Sequence, residues 1–437
     1  MTQRLPLSVM DTAFVAQTMP GRPMTTHHAL ELAEAPPAEA LAEAAAGLAE
    51  ERPELRAVTA MQRRALVRHV EPFAREKATA QVSLTADARP LGETGWLDAP
   101  FALETEWPFR VRSAPTPEGR HAVTFTLHHS VTDGRGALTL FDRYLQRLAH
   151  SWKGTPLPPH EAASAEQVSL QDALLARPKL LAQLGVNVAR NAGRFWQHRA
   201  ALLETPDAEK THFGLRVDDV PTGLWRSLKD KARVLGCTRN DLLWCAALVA
   251  GDRFRTDRGL PELPFRVVGG VDLREAFDAR NASGNWIGTL EADFEVNEVR
   301  SFGLPALVHQ RLEAARAPEH SLVTLLLMGA LGRTLTPARF RDVFRRADLP
   351  SAPTMYSMLL SHIRPPGQLC WPEALAPVRL WCTSTLPRKP GLGFTVTTVG
   401  ERVTLATCWP VPLSSAAAVG ELVEGLFEAL RRLSSEP

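Results

Sequence analysis

The residues of this 437-residue chain whose types and spacing could do chemistry fall in one stretch, LHHSVTDGRG, which contains His128, His129, Asp133 and Gly134. At the chain's own residue frequencies an H-H-x-x-x-D-G string arises by chance on the order of 10⁻³ times in this length, so the spacing is a specific signal. Period-two alternation along His121–Leu127 puts His129 in phase with Val123, Phe125 and Leu127, and so predicts that it faces the interior. A partly desolvated imidazole loses its proton more readily and stays neutral near physiological pH, as a general base must. Asp133 and Gly134 stand where strand gives way to helix, a place for a carboxylate that fixes the turn and a glycine that lets backbone or ligand approach. The competing structural reading makes His128 and His129 an edge-strand pair and Asp133 only a helix N-cap. No metal is expected, because adjacent histidines point to opposite faces of a strand and no second His/Cys cluster supplies ligands.

The elements that must position this motif can be read from period and punctuation. Phe109–Arg112 and His121–Leu127 alternate as two strands around the turn residues 114–119, and after Gly136 the apolar residues Leu138, Phe141, Leu145 and Leu148 recur at helical spacing. Ala38–Arg52 reads as a helix between prolines. Residues 153–165 read as a linker, and 168–204 as a helical connector broken at Pro178. Downstream, a helix starting at Pro221 stops at Gly236, and Thr238–Asp241 resembles a capping box for the helix Leu242–Arg253. Strands are predicted at Phe265–Val271 and Thr354–Ile363, a buried helix at Ser321–Arg333, a hairpin over 393–408 turning near Gly400, and a closing helix at Ala416–Leu433. A second double histidine, His27-His28, lacks the trailing Asp-Gly and reads as strand surface. Mixed strands and helices in both halves predict an α/β fold of two comparable lobes, with residues 1–160 as the N-terminal lobe, 161–212 as connector and 213–437 as the C-terminal lobe.

Composition removes several classes of function. Fifty Lys plus Arg against 48 Asp plus Glu leave a formal charge of +2, without the basic face a nucleic-acid partner needs. The longest apolar stretches, Leu322–Leu331 and Leu242–Ala250, fall well short of the roughly 20 residues that span a bilayer, and the opening residues lack a secretory h-region. Five cysteines without a C-x-x-C pair (Cys237, Cys245, Cys370, Cys382 and Cys408) are expected to be reduced and structural in a cytoplasmic protein, and a monomer is expected.

At the motif the chain resembles the CoA-dependent acyltransferase superfamily, which includes chloramphenicol acetyltransferase, the condensation domains of nonribosomal peptide synthetases and the wax ester synthase/diacylglycerol acyltransferase group. The stretch LSVMDTAFVAQTMPGRPM (Leu7–Met24) is similar to the opening of the wax ester synthase group. Arg52–Arg56, Pro100–Val111, Thr238–Asp241, Val271–Arg274, Gly284–Gly288 and Tyr356–Ile363 follow in that family's order. The resemblance implies two chloramphenicol-acetyltransferase-like lobes in a V, with the active-site tunnel between them and His129 at its middle. Donor and acceptor would enter from opposite mouths. His129 would act as general base in direct transfer from an acyl-CoA or phosphopantetheine-linked thioester, a substrate and not a bound cofactor, to an alcohol or amine. An acyl or peptidyl carrier protein would be a possible partner. His128, Asp133 and Gly134 would support the motif, with Asp133 held by Arg274 of the VDLR stretch; the competing reading of Arg274 is an ordinary surface ion pair. Asn285 and Trp286 could line the tunnel, with core packing an equal alternative for Trp286. Where relatives in the wax ester group carry Ser-Asn, this chain has Ser361-His362, which leaves a hydrogen-bond donor for an oxyanion or acceptor contact but changes its geometry. Ester formation is the leading expectation. Amide-forming or tailoring chemistry with a carrier-bound donor, and a non-catalytic carrier-protein platform, are the alternatives.

Overall fold

The computed structural model describes residues 4–5, 7–62, 65–159, 169–191, 193, 197, 199, 202, 212–280, 282–347, 349, 352–363, 373–385, 391–411 and 415–435. In the first half, the motif strand His121–His128 lies between Thr25–Leu32 and Phe109–Pro115, both antiparallel to it, with Val82–Leu84 on the outer side of the latter. Val123, Phe125 and Leu127 point from this sheet into an apolar layer completed by the helices Ala38–Glu51 and Gly134–Lys153. These two helices fit closely because the first is built on alanine. At its middle the Arg147 guanidinium from the second helix lies where a Cβ on Gly47 would stand, on its way to Glu51.

The second half forms a six-stranded sheet in the order Ile287–Phe294, Phe265–Asp272, Met358–Ile363, Gly393–Val399, Arg402–Val411, His212–Asp219. Its core packs under the helices Thr222–Val234, Arg239–Asp257, Leu304–Arg316 and Ala416–Ser435. Thr238 and Asp241 form the capping box that the spacing predicts, and the hairpin turns at Gly400, whose φ of 58° suits glycine. The connector is two helices, Leu170–Leu175 and Pro178–Asn191, parted at Pro178; the predicted segment after them lies largely outside the described residues, as does Cys370. The other four cysteines are unpaired.

One strand joins the halves. Pro377–Ser384, late in the sequence, leaves the second half and pairs antiparallel with Thr25–Leu32, so it forms an edge of the first sheet. This puts Thr25–Leu32 between two strands and corrects the surface reading of His27-His28. Both side chains are fully buried, His27 between Thr25 and Thr126 and His28 against the Cys382 thiol at 3.1 Å. Burial is the main reason each imidazole is pushed down to about 3. The strand predicted from Thr354 begins only at Met358.

Candidate active site

The motif strand ends at His128, and His129 opens the turn into the helix Gly134–Lys153. The alternation that placed His129 among Val123, Phe125 and Leu127 therefore stops one residue too early. His129 leaves the apolar layer and faces residues from the opening helix and the second half.

Asp133 makes the turn rigid. It is buried and caps the helix by accepting a hydrogen bond from the Gly136 amide at 3.0 Å, while its second oxygen accepts from the Trp286 amide at 2.8 Å and lies 2.9 Å from Arg274 Nη1. Arg274 is 2% exposed, and its guanidinium also donates to Asp272 and to the carbonyls of Ala282 and Gly284. It is therefore no surface pair: one buried cation ties the motif turn of the first half to the 282–286 loop of the second. Gly136 is required by contact, since a Cβ there would lie 1.9 Å from Thr132 Oγ1, and that hydroxyl donates to the Gly284 carbonyl across the same seam.

The two motif histidines are held differently. His128 is fully buried. Its Nδ1 accepts from the Ser130 amide, so the ring proton sits on Nε2, which donates to Thr18 Oγ1 at 2.7 Å; Thr18 in turn donates to the Phe14 carbonyl. Burial, helped by the neighbouring His129, pushes His128 down to about 3. His129 is fixed through its backbone, the amide donating to the Met24 carbonyl and the carbonyl accepting from Asn285 Nδ2 at 2.9 Å. Its ring stacks on Phe14 at 4.1 Å. Nδ1 is enclosed without a hydrogen-bond partner, but the residue as a whole is only half-buried, which leaves the Nε2 edge as the approachable one. Burial lowers the His129 pKa, with its own carbonyl, Asp133, Asp11 and Asn285 pulling the other way. A neutral, oriented imidazole with one open nitrogen can accept a proton.

The remaining predicted residues divide. Asn285 is at the site and bridges the His129 carbonyl to Asp11 Oδ1 at 2.7 Å. Trp286 contributes its backbone amide to Asp133, while its indole is 1% exposed in a core with Phe277 and Leu322. Ser361 shares a strand face with Ile363, whose Cδ1 lies 3.2 Å from a Cβ placed on Gly134. His362 points to the opposite face, bonded to Thr398 and edge-on to Trp225, and is not brought to the motif. Residue-type reasoning missed Asp11, Phe14, Thr18, Ser130 and Arg68, whose Nη2 donates to the Ser130 carbonyl. The available signal was the S-x-x-D spacing of Ser8 and Asp11, a capping box that starts the helix Val9–Gln17 and turns its Asp11, Phe14 side toward the motif.

No protein-family model matches the chain and no curated protein matches it. Solved structures do. The EpoB cyclization-docking bidomain of a nonribosomal peptide synthetase from Sorangium cellulosum aligns over 99% of this chain and 86% of its own, with a TM-score of 0.69 at 14% identity. The first condensation domain of the CDA synthetase aligns over 100% and 97%, with a TM-score of 0.67 at 17% identity. The SgcC5 protein of Streptomyces globisporus aligns over 99% of both chains, with a TM-score of 0.66 at 12% identity. The chain has the mixed α/β, two-lobe fold of condensation domains.

Proposed function

We propose that this chain is an acyltransferase in which His129 takes the proton of an acceptor hydroxyl as the oxygen attacks the carbonyl of an acyl thioester. The new C–O bond forms, the C–S bond breaks, and His129 returns the proton to the departing thiolate. Holding donor and acceptor in one tunnel between the lobes makes the step effectively unimolecular, so no acyl-enzyme is needed. The observation that carries this reading is the state of His129: stacked on Phe14, anchored through both backbone groups, with Nδ1 enclosed and its pKa lowered. His128, Asp133, Gly134, Arg274 and Asn285 are positioning residues, and Ser361, on the strand face turned to the motif helix, is the candidate oxyanion contact.

The donor is acyl-CoA or a carrier-protein phosphopantetheine thioester, and the preferred acceptor is an alcohol, in line with the wax-ester-like Leu7–Met24 stretch. The working unit is a cytoplasmic monomer whose lobes are 1–160 and 213–437 around the connector 161–212, with strand Pro377–Ser384 lent to the first sheet. Offering one acyl group on CoA and on a carrier protein, each with an alcohol and an amine, and identifying products by mass spectrometry tests the reading. Ester from either donor supports it. Amide alone would select the condensation-like alternative, and no product from any pairing would leave the platform reading.

A further inference from the structure

Away from the site, the helices Leu170–Leu175, Pro178–Asn191, Val323–Thr334 and Pro337–Ala347 form a layer with the opening helix Val9–Gln17. Its inward faces are accounted for: Leu170, Leu174 and Leu184 pack with Phe277 and Leu322, and Phe340 and Phe344 pack on Ala13 and Ala16. Its outward face has an unusual charge state. Lys179, Arg190, Arg339, Arg341, Arg345 and Arg346 are all exposed, and none has an ion-pair partner among the described residues. Several exposed arginines elsewhere on the second half are matched with acids, as in Arg226–Glu401, Arg253–Glu428 and Arg300–Glu262, whereas Arg431 and Arg432 near the end of the closing helix are not, among the described residues. Four of the arginines fall within the eleven residues of Pro337–Ala347, which contains a single acid, Asp342. The same helices, and the turn after the last, also carry exposed apolar side chains: Leu175 at 55%, Val186 at 50%, Val343 at 39% and Leu349 at 47%.

We infer that this helical layer docks on the surface of an anionic lipid bilayer. Unpaired guanidinium groups match lipid phosphates, and scattered apolar side chains enter the headgroup boundary between them. A single protein partner would instead favour an anchor side chain in a desolvated pocket, whereas these four apolar residues are spread over three helices and the turn after the last. No described helix is long and apolar enough to cross a membrane, so the contact is peripheral. Docking there would also bear on the site, because Pro337–Ala347 packs on the helix whose Phe14 stacks on His129. The inference does not depend on the proposed reaction, since binding is read without turnover.

The test is co-sedimentation of the full chain with vesicles of phosphatidylcholine alone and with one quarter phosphatidylglycerol, at low and moderate salt. Sedimentation with the anionic vesicles, weakened by salt, is expected. The R339Q/R341Q/R345Q/R346Q variant is expected to lose about fivefold in partition per charge removed, the equivalent of about 1 kcal/mol each. All four sites are exposed, so its melting curve is expected to match the parent's. Replacing Val343 and Leu349 by serine should weaken binding while leaving its salt dependence intact. Equal partition of parent and four-fold variant, or no sedimentation with anionic vesicles, would overturn the inference. So would an acidic protein that binds this face in place of vesicles.

Discussion

Three histidines in the first sheet are buried and neutral, and this makes the fold acid-sensitive by an amount that can be worked out. His27, His28 and His128 have their pKa pushed from 6.5 to about 3, chiefly by burial. A base with a depressed folded pKa is protonated more readily in the unfolded chain, so its contribution to stability is lost as pH falls below 6.5 toward 3. At pH 5.5 linkage gives a loss of about 1.4 kcal/mol for each, or about 4 kcal/mol together, relative to pH 7.5. Asp142 opposes this: burial raises it from 3.8 to about 6, so acidification restores a little under about 1 kcal/mol, and the buried Glu31, also raised, acts in the same sense. The net loss is about 3 kcal/mol, which for a chain of this length lowers the melting temperature by about 3 °C. Calorimetry at the two pH values measures the shift directly, and unfolding at pH 5.5 should take up about two protons. An unchanged or higher melting temperature at pH 5.5, or net proton release, would refute the assignment of these imidazoles as buried and neutral.

Other outcomes follow from the same geometry. Asp133→Ala removes a helix cap, the acceptor of the Trp286 amide and the partner of buried Arg274. It should cost about 3 kcal/mol, the lower end for a broken buried pair because Asp272 and two carbonyls still engage Arg274, and an unaltered thermal melt would contradict the structural role. Because burial lowers the His129 pKa and only the neutral ring accepts a proton, the acid limb of the kcat profile should fall below pH 6.5; a limb above that value would assign the base elsewhere. His362→Ala should leave turnover at the parental level, since its ring contacts Thr398 and Trp225 on the far side of the strand. A collapse of kcat in that variant without loss of stability would put it back in the site.

Local patterns made the motif and its two flanking elements legible. The strand read at His121–Leu127 and the helix read after Gly136 follow from period and turn chemistry, and the structure has them as His121–His128 and Gly134–Lys153; the tie from Asp133 to Arg274 was expected only from the resemblance. The two-lobe α/β fold was legible through the resemblance. What depended on distant pairing was not. Nothing local in Pro377–Ser384 marks it as a strand that leaves one sheet for another, and without it His27 and His28 sit on an apparent edge. Period two also cannot tell where a strand stops, so His129 was aligned with Phe125 although the turn rotates it toward Phe14 and Asn285. Phe14 itself carries no chemical signature; only its position one turn after a capped Asp11 connects it to the imidazole.

Whether His129 is the proton acceptor is decided by single-turnover product formation in His129→Gln. That variant lacks the imidazole base but keeps a polar side chain on the same anchored backbone. With the donor and acceptor on which the parent is active, the rate should fall by about 10²–10⁴-fold while the melting temperature stays close to the parent's. A His129→Gln enzyme that turns over at the parental rate would show that another group accepts the proton.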